Sequence, residues 1–156
     1  MKVYRLAKEK PGRYKADDLS GNGAALAGGR WNPRGMRVVY TCCNPSTTVL
    51  ETLVHLGGLM PAAQHFLVTI EISDRCFADS LVPQVPVDWD APGRDPQSTM
   101  DIGKNWIEEG THLALKVPSV VCPADFNLLL NPLHPDMASV QVVEIAPFTF
   151  DSRLFG

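Results

Sequence analysis

The chain has 156 residues, 45% hydrophobic and 20% charged, with a net charge of -3. That length suits one domain with a usable core. An acidic balance leaves no electrostatic footprint for nucleic acid, no run approaches the roughly 20 apolar residues of a membrane span, and MKVYRLAKEKPGRYK lacks the apolar segment of a signal peptide.

Lys2 to Leu6 alternates and reads as an opening strand. Ser20 to Gly29, SGNGAALAGG, is rich in small residues and reads as a loop or loosely wound segment. It contains GxG but follows no long apolar strand and lacks the third glycine of a dinucleotide fingerprint, so a Rossmann fold is rejected. Arg37 to Cys42 is β-branched and aromatic, a strand. Asn44-Pro45-Ser46 ends it and offers Ser46 as a helix N-cap. From Thr47 to Leu56 the apolar residues Val49, Leu50, Leu53, Val54 and Leu56 share one side, with Glu51 and His55 opposite. Gly57 and Gly58 close that helix.

His65 to Ile72 is a strand, and the proline-rich stretch from Val82 to Pro96 is a loop. Ser98 to Glu109 reads as a helix with Ser98 and Asp101 in capping-box spacing, Ile102 and Trp106 on its apolar side and Gly110 at its end. Short strands follow over 113–117, 119–122, 140–145 and 148–150, separated by prolines. Strands outnumber helices, which predicts an α+β fold with a mixed, bent pair of sheets. The cysteines, at 42, 43, 76 and 122, lack CxxC spacing. They read as reduced thiols of a cytoplasmic protein rather than a zinc site, with Cys42 and Cys43 facing opposite ways on their strand.

Arg30, Tyr40 and Glu51 fall within 22 positions of one another, and Ser119 sits in KVPSVVCP. None is a strong nucleophile and no metal-ligand pattern accompanies them. Arg30 follows paired glycines that let backbone approach a ligand, and its planar fork matches phosphate oxygens; a loop arginine in a surface ion pair is the other reading. Arg5, on the first strand, is a second and weaker phosphate candidate. Tyr40 is suited to stacking on a ring or to a core role. Ser119, without a nucleophile elbow, is suited to hydrogen bonding a sugar hydroxyl or to starting a strand. Glu51 is either a solvated helix carboxylate or one facing a cleft between strand and helix. The four histidines define no triad, and His134 in NPLHPD reads as part of a turn. The set points to cleavage of a dinucleotide.

The stretches YRL, GNGAALAGGRWNPRGMRVVYT, LETLVHL and KVPSVVCPADFNLLLNPLHPD, which together cover nearly the whole chain, resemble the RES domain proteins. These are toxins of bacterial toxin–antitoxin pairs, named for an Arg, Glu and Ser set. The resemblance puts the functional residues on Arg30, Tyr40, Glu51 and Ser119, and implies a fold similar to ADP-ribosyltransferases of the diphtheria-toxin kind. It implies attack on NAD+ as substrate, with water, phosphate or a host enzyme of nucleotide synthesis as acceptor, and no further cofactor. It also implies an antitoxin with a helix-turn-helix part whose tail covers the cleft. A homodimer is expected as well. The Cys42-Cys43 pair departs from the small polar residues more usual there, and no functional effect is expected of it.

Overall fold

A computed structural model describes residues 1–156. The strands are β1 (Lys2–Lys8), β2 (Val39–Cys42), β3 (His65–Glu71), β4 (Ala114–Pro118), β5 (Phe126–Leu130) and β6 (Gln141–Phe148). The helices are α1 (Asn22–Ala27), α2 (Pro45–Leu56), α3 (Asp74–Ala78) and α4 (Gln97–Glu109). All six strands join one sheet in the order β4-β5-β2-β1-β3-β6. The α+β class holds, but every ladder is antiparallel where a mixed pair of sheets is expected. The parallel element is a single bridge between Leu81 and Leu115.

Side chains alternate along each strand, so register sorts the residues onto two faces. Tyr4 pairs with Cys42, and Cys42 with Asn127. These lie on what we call the front. Val3, Ala7, Val39, Val68, Ile70, Ala114, Leu128 and Leu130 form a cluster on the back, together with Ala16 and Ile72. A second cluster fills the front over β4 and β5: Trp31, Val38, Trp106, Leu115, Val117 and Leu129. Helix α4 supplies Trp106, whose Nε1–H donates to the His112 carbonyl at 2.9 Å. Its contact with the 29–32 loop depends on Gly103, because a Cβ there would sit 1.7 Å from the Trp31 carbonyl oxygen.

Helix starts differ from the expected ones. α2 begins one residue before Ser46, with Asn44 at the N-cap and Pro45 in the first turn, where its missing N–H costs nothing. α4 begins at Gln97, and no Ser98–Asp101 capping box forms: Asp95 accepts the Gln97 N–H, and the Gln97 side chain donates to Asp101 at 2.7 Å. The 119–122 strand is absent. Ser119 to Asp125 make a turn instead, closed by Asp125 N–H to the Cys122 carbonyl, and the true strand follows at Phe126. Pro147 does not split β6, since β6 is an edge strand and tolerates the lost donor. His134 is structural as expected, its Nδ1 accepting the Asp136 N–H at 3.1 Å.

Candidate functional site

α2 lies over the front of β1 and β2, turned about its axis from the expected arrangement, so that Val49, Leu53 and Leu56 are only half-buried. Thr47 and Thr48 are its buried residues, Glu51 and Thr52 are half-buried, and Leu50 and Val54 are exposed. Thr48 donates to the Tyr4 and Asn44 carbonyls, which seats the helix on the strands by hydroxyls instead of aliphatic side chains. The N-terminus of α2 is held from a distance. Asn44 and Thr47 both donate to Asp125 Oδ2, on the turn before β5. Burial alone would raise the Asp125 carboxyl; hydrogen bonds from Thr47, the Phe126 N–H and Asn44 outweigh it and hold it below its usual range.

This seating turns Glu51 toward β5 and the turn at Ser119. The Ser119 hydroxyl donates to Glu51 Oε1 at 2.8 Å, and the Asn127 amide donates to the same oxygen at 2.6 Å. Ser119 Oγ also accepts the Cys122 N–H at 3.1 Å. Ser119 is only 1% exposed and starts no strand; its hydroxyl is engaged with Glu51, while the sequence suggests a bond to a sugar hydroxyl. Glu51 is not a solvated carboxylate: one oxygen carries two hydrogen bonds and the other has no protein donor.

Two positions along β2 from Cys42, Tyr40 projects from the same face, about 7 Å away by strand geometry. Its hydroxyl donates to Asn32 Oδ1 at 2.8 Å and accepts the Trp31 N–H at 3.2 Å. Asn32 in turn donates to the carbonyls of Ala24, Pro33 and Met36. Gly29 must be glycine here, because a Cβ would come within 2.7 Å of the Tyr40 hydroxyl and 2.9 Å of Asn32 Oδ1. Tyr40 therefore anchors the loop that presents Arg30. Burial pushes its phenol up, against the Trp31 N–H and the nearby Arg30 charge, so it stays a neutral donor at physiological pH.

Arg30 is half-buried, with one Nη donating to the Trp89 carbonyl at 3.0 Å and its guanidinium 5.6 Å from the Trp89 ring centre. Trp31 packs on the same ring at 5.6 Å. The loop from Val82 to Pro96 thus contributes Trp89 to the site, which sequence reasoning missed. Arg5 does not join the site. It pairs with Val68 on the back face, donates to the Asp18 carbonyl at 2.9 Å, and burial lowers its affinity for the proton. Alternation along β1 decides this, since Tyr4 faces the site and its neighbour must face away. A separate hollow of about 660 Å3, bounded by residues including Arg34, Arg37, Met100 and Lys104, contains none of these groups.

Asn127 and Cys42 also went unassigned in the sequence. Asn127 is directly opposite Cys42 in the ladder, and the Cys42 thiol donates to Asn127 Oδ1 at 3.1 Å. The sequence signal was a polar residue at a front-facing position of a strand otherwise made of Phe and Leu. It is readable only once β5 is recognised.

Comparisons with known proteins give the family and the fold. The chain is 39% identical over 148 residues to the "Prs ADP-ribosylating toxin" of Sphingobium sp. (strain YBL2), covering 90% of this chain and 89% of that protein. It is 37% identical over 158 residues to "Toxin Res" of Yersinia enterocolitica, covering 99% of each. Its fold is shared with a chain of the M. tuberculosis MbcT-MbcA toxin-antitoxin complex, at a TM-score of 0.73 and 19% identity over 95% of this chain and 84% of that one. The family model described as the RES domain matches residues 2–151, and the chain belongs to the RES domain family.

Proposed function

We propose that this chain is a toxin that breaks the bond between nicotinamide and ribose in NAD+. The observation that carries the reading is Glu51: a carboxylate fixed through Oε1, with Oε2 left without a protein donor, on the same sheet face as Tyr40. Nicotinamide in NAD+ is already a cationic leaving group and needs no general acid. Its departure develops an oxocarbenium ion, as in glycoside cleavage. A preorganised anion beside that sugar stabilises charge that exists only in the transition state. Arg30 keeps donors beyond its bond to Trp89 and would take the pyrophosphate. The Tyr40 ring would line the nicotinamide end while its hydroxyl holds the Arg30 loop. Ser119 acts through Glu51.

Nicotinamide release from NAD+, with and without phosphate, tests the reading. Glu51→Gln should slow release by roughly 10²-fold or more, about 3 kcal/mol of barrier, without lowering the melting temperature. Full activity in that variant would refute the role of Glu51. A second reading, transfer of ADP-ribose to a protein, is favoured by the name of the Sphingobium relative. It uses the same steps up to the oxocarbenium ion and differs only in the acceptor. Labelled NAD+ added with cell lysate distinguishes them, because transfer leaves label on a discrete protein band. The toxin–antitoxin assembly of the fold neighbour supports an antitoxin partner, which would act by covering the site. An enzyme of this kind would work in the cytoplasm, and no helix is long and apolar enough to cross a membrane.

A further inference from the structure

We infer that Asn127, held in turn by the Cys42 thiol, is a positioning residue that fixes the direction in which the free oxygen of Glu51 is presented to the substrate. The inference rests on the reading of Glu51 as the carboxylate that faces the sugar. Asn127 Nδ2 is 2.6 Å from Glu51 Oε1, and Asn127 Oδ1 is 3.1 Å from Cys42 Sγ. An asparagine amide has two orientations, related by a half-turn. The reverse one would set its carbonyl oxygen 2.6 Å from a carboxylate oxygen and turn its N–H groups toward a thiol that is itself the donor. The Glu51 carboxylate, which only accepts, selects the observed orientation, and the Cys42 S–H reinforces it by donating to Oδ1. Burial, with Glu51 adding to it against a Thr48 hydrogen bond, pushes the Cys42 thiol up to about 12, so the donor is present at neutral pH.

Ser119 approaches the same Oε1 from the turn before β5. Two donors converging on one oxygen from different elements fix the rotation of the carboxylate about its last bond. Oε2 is then aimed outward in a single direction, ready for charge that develops at the sugar. One member of the cysteine pair that departs from the family pattern is thereby tied to the reacting carboxylate through one intervening side chain.

The test separates positioning from folding and from substrate binding. Asn127→Ala should lower kcat for nicotinamide release on the order of 10- to 100-fold, with KM changed by less than about threefold. Cys42→Ala should lower kcat by a smaller factor, and Cys42→Ser should recover most of it by restoring a donor. Asn127→Asp keeps the shape but sets a second carboxylate against Glu51, and should lose at least as much as Asn127→Ala. It covers the case in which the alanine variant does not fold. The Asn127 side-chain amide signal in 15N–1H NMR spectra reads the contact without turnover, and should move in both Glu51→Gln and Cys42→Ala. Wild-type kcat in a folded Asn127→Ala protein, or an amide signal indifferent to both changes, overturns the inference. If the wild-type protein releases no nicotinamide, the functional reading fails, while the amide signal still decides whether Asn127 grips Glu51.

Discussion

Behind the sheet, Val39, Val68, Ile70, Leu128 and Leu130 close on one another at 0–1% exposure. In front, Tyr40, Cys42 and Asn127 interrupt the apolar surface, and the helix laid over that face meets it with threonines and a glutamate. The back is a stability device: each fully buried aliphatic side chain contributes about 1.5–3 kcal/mol relative to exposure. The part of the front under α2 is a geometry device. Its hydrogen bonds each contribute only about 0.5–1.5 kcal/mol net, but they fix where a carboxylate and a guanidinium stand. Under α2, the polar part of the front is set apart from the aliphatic back by alternation along each strand, while the front over β4 and β5 carries a core of its own.

The largest expected effect tests whether the front can be assembled without α4. Gly103→Ala would place a methyl carbon 1.7 Å from the Trp31 carbonyl oxygen, in backbone that cannot retreat without moving Arg30. We expect a loss of about 4 kcal/mol or more, read by urea denaturation, and an unstable protein. A stability within 1 kcal/mol of wild type would show that α4 can slide and that the Arg30 loop is not pinned by it. Next comes the back face. Leu128→Ala should cost about 3 kcal/mol through the cavity it leaves, yet nicotinamide release per folded molecule should stay within about threefold of wild type. A much larger activity loss in that variant would break the separation of faces.

The smallest effect concerns the tether between them. Asp125→Ala removes the distant cap of α2 and should cost about 1 kcal/mol. Its pH dependence follows from the lowered carboxyl of Asp125. A carboxyl held below its unfolded value contributes stability above the unfolded pKa of about 3.9, and loses it as pH falls through the folded value. The difference in melting temperature between wild type and Asp125→Ala should therefore be full at neutral pH and shrink in acid. A difference that grows on acidification would show that the carboxylate is not what holds the helix.

Several features were legible in the linear chain because they depend on neighbours. β1, β2, β3 and both long helices follow from local pattern, and Gly57 and Gly110 end those helices in left-handed conformations that favour glycine. Other features were not. β5 was hidden because a turn, not a strand, occupies 119–122, and Pro147 misled because a proline stops a central strand but not an edge. The most instructive error is α2. Its apolar residues mark one side, and the usual inference buries that side. The protein buries the threonines most deeply instead, because the Thr48 hydroxyl is satisfied by the Tyr4 carbonyl and that of Thr47 by the Asp125 carboxylate, and that rotation brings Glu51 inward.

The sequence by itself determined the α+β class and the positions of β1, β2, β3 and the two long helices, and it nominated Arg30, Tyr40, Glu51 and Ser119 as candidates, since residue type and spacing are local properties and the family motifs are contiguous. Tertiary structure decided which partners they acquired. Ser119 and Glu51 are 68 positions apart and meet at 2.8 Å, while Arg5, one residue from a front-facing tyrosine, is sent to the other side of the sheet. Register and helix rotation are set by how distant segments satisfy one another's buried polar groups, and no single stretch of chain contains that information.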